Sequence, residues 1–130
     1  MKSRWLDRTL FVNSSYYTLC TTKKQFRQAL KHFRLQKKDW PPFVSDSFCN
    51  ATTHFLENLT ERKKAAIVCI ADHSEKTSAQ IAGLLCHEAM HIWQQTRSDL
   101  GENAPSSELE AYAIQNLTQA LIEEFERQTK

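Results

Sequence analysis

Hydrophobic positions fall into short segments with distinct spacings in the first half of the chain. Residues 16–20 (YYTLC) have the aromatic and β-branched content of a strand. Apolar side chains then recur at helical spacing, which predicts a helix capped by Thr21 or Thr22 and ending near Leu35. Residues 48–57 and the almost wholly apolar residues 65–71 predict two further strands that pair as an antiparallel hairpin.

The second half of the chain has the apolar periodicity of two longer helices. The first is predicted to begin after Thr77 or Ser78 and to run to about Ser98, with Gly101 as its stop signal. The second is predicted to be capped by Ser106 or Ser107 and to run to about residue 127. The predicted order is therefore strand, helix, hairpin, helix, helix.

Composition narrows the protein classes that remain. A chain of 130 residues with 41% hydrophobic content suits one domain over residues 1–130. The only glycines, Gly83 and Gly101, are too few and too far apart for a glycine-rich phosphate loop. The sequence has no leader-like apolar run and no membrane-spanning stretch, so we expect a cytoplasmic protein. The four cysteines form no C-x-x-C pair, and in the cytoplasm we expect their thiols to be reduced.

The net charge of +2 hides an uneven distribution. Residues 1–76 contain 14 Lys and Arg against 7 Asp and Glu, whereas residues 77–130 contain 3 against 8. Most of the basic excess lies on the outer face of the first predicted helix, where a solvated surface is the favoured interpretation. Phe26 and Phe33 fall on the apolar side of that helix, which weakens the case for nucleic-acid binding by base stacking.

The motif H-E-x-x-H at residues 87–91 indicates metal chemistry. His87 and His91 are four residues apart on a predicted helix, so their rings lie one turn apart on the same side and can reach one ion. Glu88 points to a neighbouring side, where it can accept a proton from water. This arrangement is typical of zinc hydrolysis.

A catalytic zinc ion requires a third protein ligand. The last predicted helix offers Glu108 and Glu110 in its first turn, 17 and 19 residues after His91. The loop from Gly101 to Pro105 would allow that helix to fold back beside the first. Carboxylates at a helix N-terminus also complement the helix dipole without binding any ion.

The segments HEAMH and ELEAY together resemble the gluzincins, zinc metallopeptidases with H-E-x-x-H and a downstream glutamate on a second helix. The run from Tyr16 through both motifs is similar to small proteins of tailed bacteriophages that are classed as metallopeptidases. The resemblance implies an α+β fold, a minimal zincin-like domain. It would pack a small antiparallel sheet on the H-E-x-x-H helix and a C-terminal glutamate helix. It also implies Zn²⁺ as cofactor and the cytoplasm of a bacterial or phage-infected cell.

The resemblance also implies roles for particular residues. His87, His91 and Glu108 match the zinc ligands, and Glu88 matches the general base. The helical phase of the last helix is consistent with Glu108 as a ligand. The apolar side of that helix lies opposite Glu108, which leaves Glu108 free to face the H-E-x-x-H helix. Glu110 lies in the middle of that apolar side, and as a buried carboxylate needing a partner or a cation it stays a rival ligand.

Tyr112 departs from the gluzincin pattern, which has an aspartate at that position. Its hydroxyl could hydrogen-bond a ligand histidine or donate to a developing oxyanion. An equal alternative is that the Tyr112 ring only packs against its neighbours.

The sequence thus predicts a zinc metallopeptidase acting on a peptide or protein substrate. The alternatives are a weakly active or inactive zinc-binding protein that binds a host protein and, less favoured, a nucleic-acid-associated protein.

Overall fold

The computed structural model describes residues 1–6, 15–45 and 50–130, and its elements follow the predicted order. The bounds of the strands are β1 Tyr16–Cys20, β2 Ala51–Asn58 and β3 Lys63–Ile70. The bounds of the α-helices are α1 Lys23–His32, α2 Ser78–Leu100 and α3 Ser107–Thr129. Short 3₁₀ turns occupy Lys37–Asp39 and His73–Glu75. The described part of the chain is therefore mixed α and β, as predicted, although the predicted strand residues 48–49 lie outside the described residues.

The sheet is mixed, which corrects the predicted antiparallel sheet. Its strand order is β1-β3-β2. β2 and β3 form the predicted antiparallel hairpin, with Thr53 opposite Val68. β1 instead runs parallel to β3, with Tyr16 opposite Ala65. Parallel neighbours require a crossover connection, and the chain between β1 and β3 contains α1 and β2. The hairpin alone therefore does not set the sheet type.

The sheet is covered on both faces. Ile67 and Cys69 of β3 pack with α1, whereas Ala66, Val68 and Ile70 pack with α2 and α3. Because β3 is central and buried on both sides, its sequence is apolar at consecutive positions instead of alternate ones. The result is a three-layer arrangement with α1 on one side and the two long helices on the other.

Local sequence signals fix the ends of the two long helices. Thr77 accepts from the Gln80 backbone and the Gln80 side chain bonds back, forming a capping box at the start of α2. Gly101 ends that helix in the left-handed region at φ 74°, which disfavours side chains other than glycine. Ser106 caps α3 by accepting from the Leu109 backbone. The two helices therefore begin and end within about two residues of the predicted positions.

Candidate metal centre

His87 and His91 lie exposed on the surface of α2, and their rings converge. The two Nε2 atoms are 3.1 Å apart, and the ring planes are inclined by 76°. Two imidazoles on one tetrahedral zinc ion, each with a Zn–N bond of about 2.05 Å, would have their nitrogens about 3.3 Å apart. The histidine pair therefore already has nearly the spacing that a shared metal ion requires.

Gln94 contacts the outer side of the pair. Its Oε1 lies 3.3 Å from Nδ1 of His91. Because an amide oxygen can only accept, this contact is a hydrogen bond in the tautomer that has its proton on Nδ1, and that tautomer leaves the His91 lone pair on Nε2. The sequence analysis missed Gln94, although its position three residues after His91 places both on one helix face.

Glu88 follows His87 in sequence and lies about 100° further round the helix, on the side of α2 that faces the sheet. Its side chain is buried, with the residue 4% exposed. The Thr53 hydroxyl on β2 donates a short hydrogen bond to Glu88 Oε2. Glu88 therefore occupies the predicted neighbouring side of the helix, in a fixed orientation. Thr53 was missed because a contact across 35 positions leaves no local sequence signal.

α3 packs on the side of α2 that carries Trp93. Trp93 lies two residues after His91 and thus about 160° from it around the helix axis. The Trp93 indole N–H donates to Glu110 Oε2 at 2.8 Å, so the first turn of α3 lies on the Trp93 side. Glu110 is therefore the first-turn glutamate that faces α2, and its carboxylate binds an indole.

Glu108, the expected third ligand, lies on the outer side of α3 in this arrangement. Glu108 is exposed and lies about 200° from Glu110 around α3, so it points away from α2. Tyr112 lies on the same outer side and is 63% exposed. The physical reason is that the apolar side of α3, centred near Glu110, packs directly on α2. The structure therefore does not bring Glu108 or Tyr112 to the histidine pair.

The fit to zinc is partial. His87 and His91 match two ligands in type and spacing. Within residues 1–6, 15–45 and 50–130, no group of three or more His, Cys, Asp or Glu side chains is placed to hold a metal ion. The described side chains thus bring together two residues of a type that zinc binds, without a third.

The histidine pair lies towards the β2 edge of the sheet. α2 contacts β2, whereas α3 contacts β1 at the opposite edge. Glu88 touches β2 through Thr53, and His91 lies about 60° from Glu88 around α2. In the described chain β2 has a strand neighbour only on its β3 side. β2 is therefore the outer hairpin strand, which the sequence could not distinguish from β3.

His54 lies on the other face of β2 from Thr53. Its ring stacks on Phe26 of α1 at a centroid distance of 5.0 Å, and its Nε2 lies 2.9 Å from the Phe43 carbonyl oxygen. Burial lowers the pKa of His54, and the Phe43 carbonyl and the Glu88 charge oppose that shift only in part. His54 therefore belongs to the α1 layer and not to the histidine pair.

Comparisons with protein-family models, with curated proteins and with solved structures found no match. Over the described residues, no helix combines the length and apolar character needed to cross a membrane.

Proposed function

We propose that the protein is a zinc-dependent hydrolase that cleaves peptide bonds, with His87 and His91 as zinc ligands and Glu88 as the proton acceptor. The observation that carries the proposal is the 3.1 Å separation of the two Nε2 atoms on an exposed helix face. Gln94 supports it, because a hydrogen bond from Nδ1 of His91 to the Gln94 oxygen would leave the Nε2 lone pair for the shared position.

In the proposed reaction the zinc ion, Glu88 and Thr53 have different roles. When bound, zinc supplies Lewis acidity, which polarises a carbonyl group and makes water a stronger acid. Glu88 accepts the proton of the attacking water and passes it to the leaving amine. The Thr53 hydroxyl holds Glu88 Oε2 in place, so the other carboxylate oxygen is the one that exchanges the proton.

The substrate class follows from the sheet edge. An outermost strand presents backbone N–H and C=O groups that an extended peptide can pair with. Among the described strands β2 is such a strand, and it carries the threonine that contacts Glu88. A peptide added along β2 would bring its own carbonyl groups near the histidine side of α2.

A second candidate is a zinc-binding protein without hydrolytic activity that binds a host protein. Two observations favour it: Glu88 is 4% exposed, and Tyr112 and Glu108 point away from the histidines. In this case the histidine pair would hold zinc as a structural or docking element, and Glu88 would be a buried partner of Thr53.

Hydrolysis of an unstructured substrate separates the two candidates. Protein reconstituted with zinc is incubated with casein and with a mixed peptide library, and products are identified by mass spectrometry. We expect cleavage that a chelator stops and added zinc restores. Absence of cleavage by protein that holds one zinc ion per chain would contradict the hydrolase and support the second candidate.

A further inference from the structure

The outer face of α1 carries four basic residues, and a fifth, Arg34, follows two residues after the helix ends; together they form a basic stripe. At 100° per residue the four helical residues fall within an arc of about 100° around the helix. All five are exposed: Lys23, Lys24, Arg27, Lys31 and Arg34. The opposite side of α1 is apolar and buried, so the four helical residues of the stripe face solvent.

This stripe lacks the acidic residues that normally balance a solvated helix face. No Asp or Glu occurs between residues 21 and 38, and the first turn of α1 has no acidic residue. Only Arg34 of the five has an ion pair in the described structure, 3.0 Å from Glu61. Lys23 and Lys24 lie at the positive end of the helix dipole, which is unfavourable for positive charges. Like charges also recur three and four residues apart along the stripe, and their repulsion destabilises the helix.

The fold keeps the acidic half of the chain away from this stripe. α2 and α3, which carry most of the acidic residues of segment 77–130, cover the other face of the sheet. The three layers therefore give the molecule one basic side and one acidic side. A multivalent anion bound at α1 would therefore be attracted by the basic residues and would lie far from the acidic side, which would repel it.

We propose that the basic stripe of α1 binds the phosphate backbone of duplex nucleic acid. The regularly spaced phosphates of a nucleic-acid backbone would neutralise the lysines and arginines of the stripe and so relieve the repulsion among them. An anionic membrane is disfavoured, because the apolar side chains of α1 are buried and cannot insert; Phe26 and Phe33 are 3% and 6% exposed. Their burial also excludes base stacking by these two rings, so the contact is with the backbone and is independent of base sequence.

Fluorescence anisotropy with the full chain tests this inference. The probe is a labelled DNA duplex of about 20 base pairs, titrated at salt concentrations from about 50 to about 200 mM. We expect log affinity to fall linearly with log salt. The triple substitution K24Q/R27Q/K31Q removes three phosphate contacts, so its slope should be smaller by about 2.7 and its affinity at least about tenfold weaker.

The matched control removes the same charge elsewhere, by K2Q/K63Q/K130Q at three exposed lysines outside the stripe. It should keep the wild-type slope, and circular dichroism should show both triple variants folded. Three results would overturn the inference. These are no DNA binding at about 50 mM salt, equal weakening by both triple variants, or binding to phosphatidylserine vesicles without binding to DNA. Because His87, Glu88 and His91 take no part, the outcome is independent of the proposed hydrolase.

Discussion

Replacement of Glu88 by Gln is expected to lower peptide hydrolysis by about 10²- to 10⁴-fold while zinc stays bound. The amide has the size of the carboxylate, and its oxygen can still accept from Thr53, but it cannot take up the proton of the attacking water. The zinc ligands are not altered by the substitution. The measurements are kcat/KM on a cleaved peptide and the zinc content of the same preparation.

Glu57→Gln is the matched control for this prediction. Glu57 lies on β2 like Thr53, is exposed, and loses the same charge on substitution. Its activity should match that of the wild type. Equal activity of the wild type and Glu88→Gln, with zinc present in both, would remove Glu88 from the mechanism.

A buried carboxylate on α3 is expected to have the largest effect on stability. Glu124 is 3% exposed and accepts hydrogen bonds from the Arg127 guanidinium at 2.7 Å and the Gln128 amide at 2.7 Å. It also accepts from the Arg4 backbone N–H at 2.9 Å, which ties the first residues of the chain to α3. Burial disfavours its charge, but the bonds from Arg127, Gln128 and Arg4 outweigh burial and hold the pKa of Glu124 below its ordinary value.

Glu124→Ala is expected to lower the free energy of unfolding by about 2 to 4 kcal/mol, because it leaves several donors without their acceptor. Chemical denaturation followed by circular dichroism measures the loss. Glu126→Ala, which breaks only the exposed pair with Lys130, should cost less than about 1 kcal/mol. Equal stability of the two variants would show that the Glu124 network contributes nothing.

The same network predicts a pH dependence. Because the folded pKa of Glu124 lies below the ordinary value of 4.5, its contribution is complete above that pH and is lost as the pH falls through the folded pKa. The difference in stability between wild type and Glu124→Gln should therefore shrink on acidification, and denaturation curves at neutral and acid pH would measure it.

Short-range signals in the sequence predicted most of the secondary structure. Thr77 and Gly101 mark the ends of α2 because capping and left-handed backbone conformations depend on single residues. The apolar run of β3 predicted a buried strand, and β3 is central and buried on both faces. The parallel pairing of β1 was not predicted, since it joins residues about 50 positions apart and no local pattern encodes it.

The parts of the candidate site that depend on short-range sequence signals were predictable. The spacing of His87 and His91 on one helix was sufficient to predict that their rings converge, and helical phase placed Glu110 in the apolar side of α3. Helical phase does not reveal which neighbour covers a helix face, so the packing of α3 on the Trp93 side was missed. Glu108 lies on the outer side of α3 for the same reason, and its role as a zinc ligand stays a prediction.

Zinc content of the purified protein tests the central claim most directly. The wild type is reconstituted with zinc, dialysed and analysed beside His87→Ala, His91→Ala and the control His32→Ala, an exposed histidine on α1. If His87 and His91 share one ion, the wild type and His32→Ala will hold one zinc per chain and the other two variants will hold none. A wild-type protein without stoichiometric zinc, or full zinc in both His87→Ala and His91→Ala, would contradict a metal centre on this histidine pair.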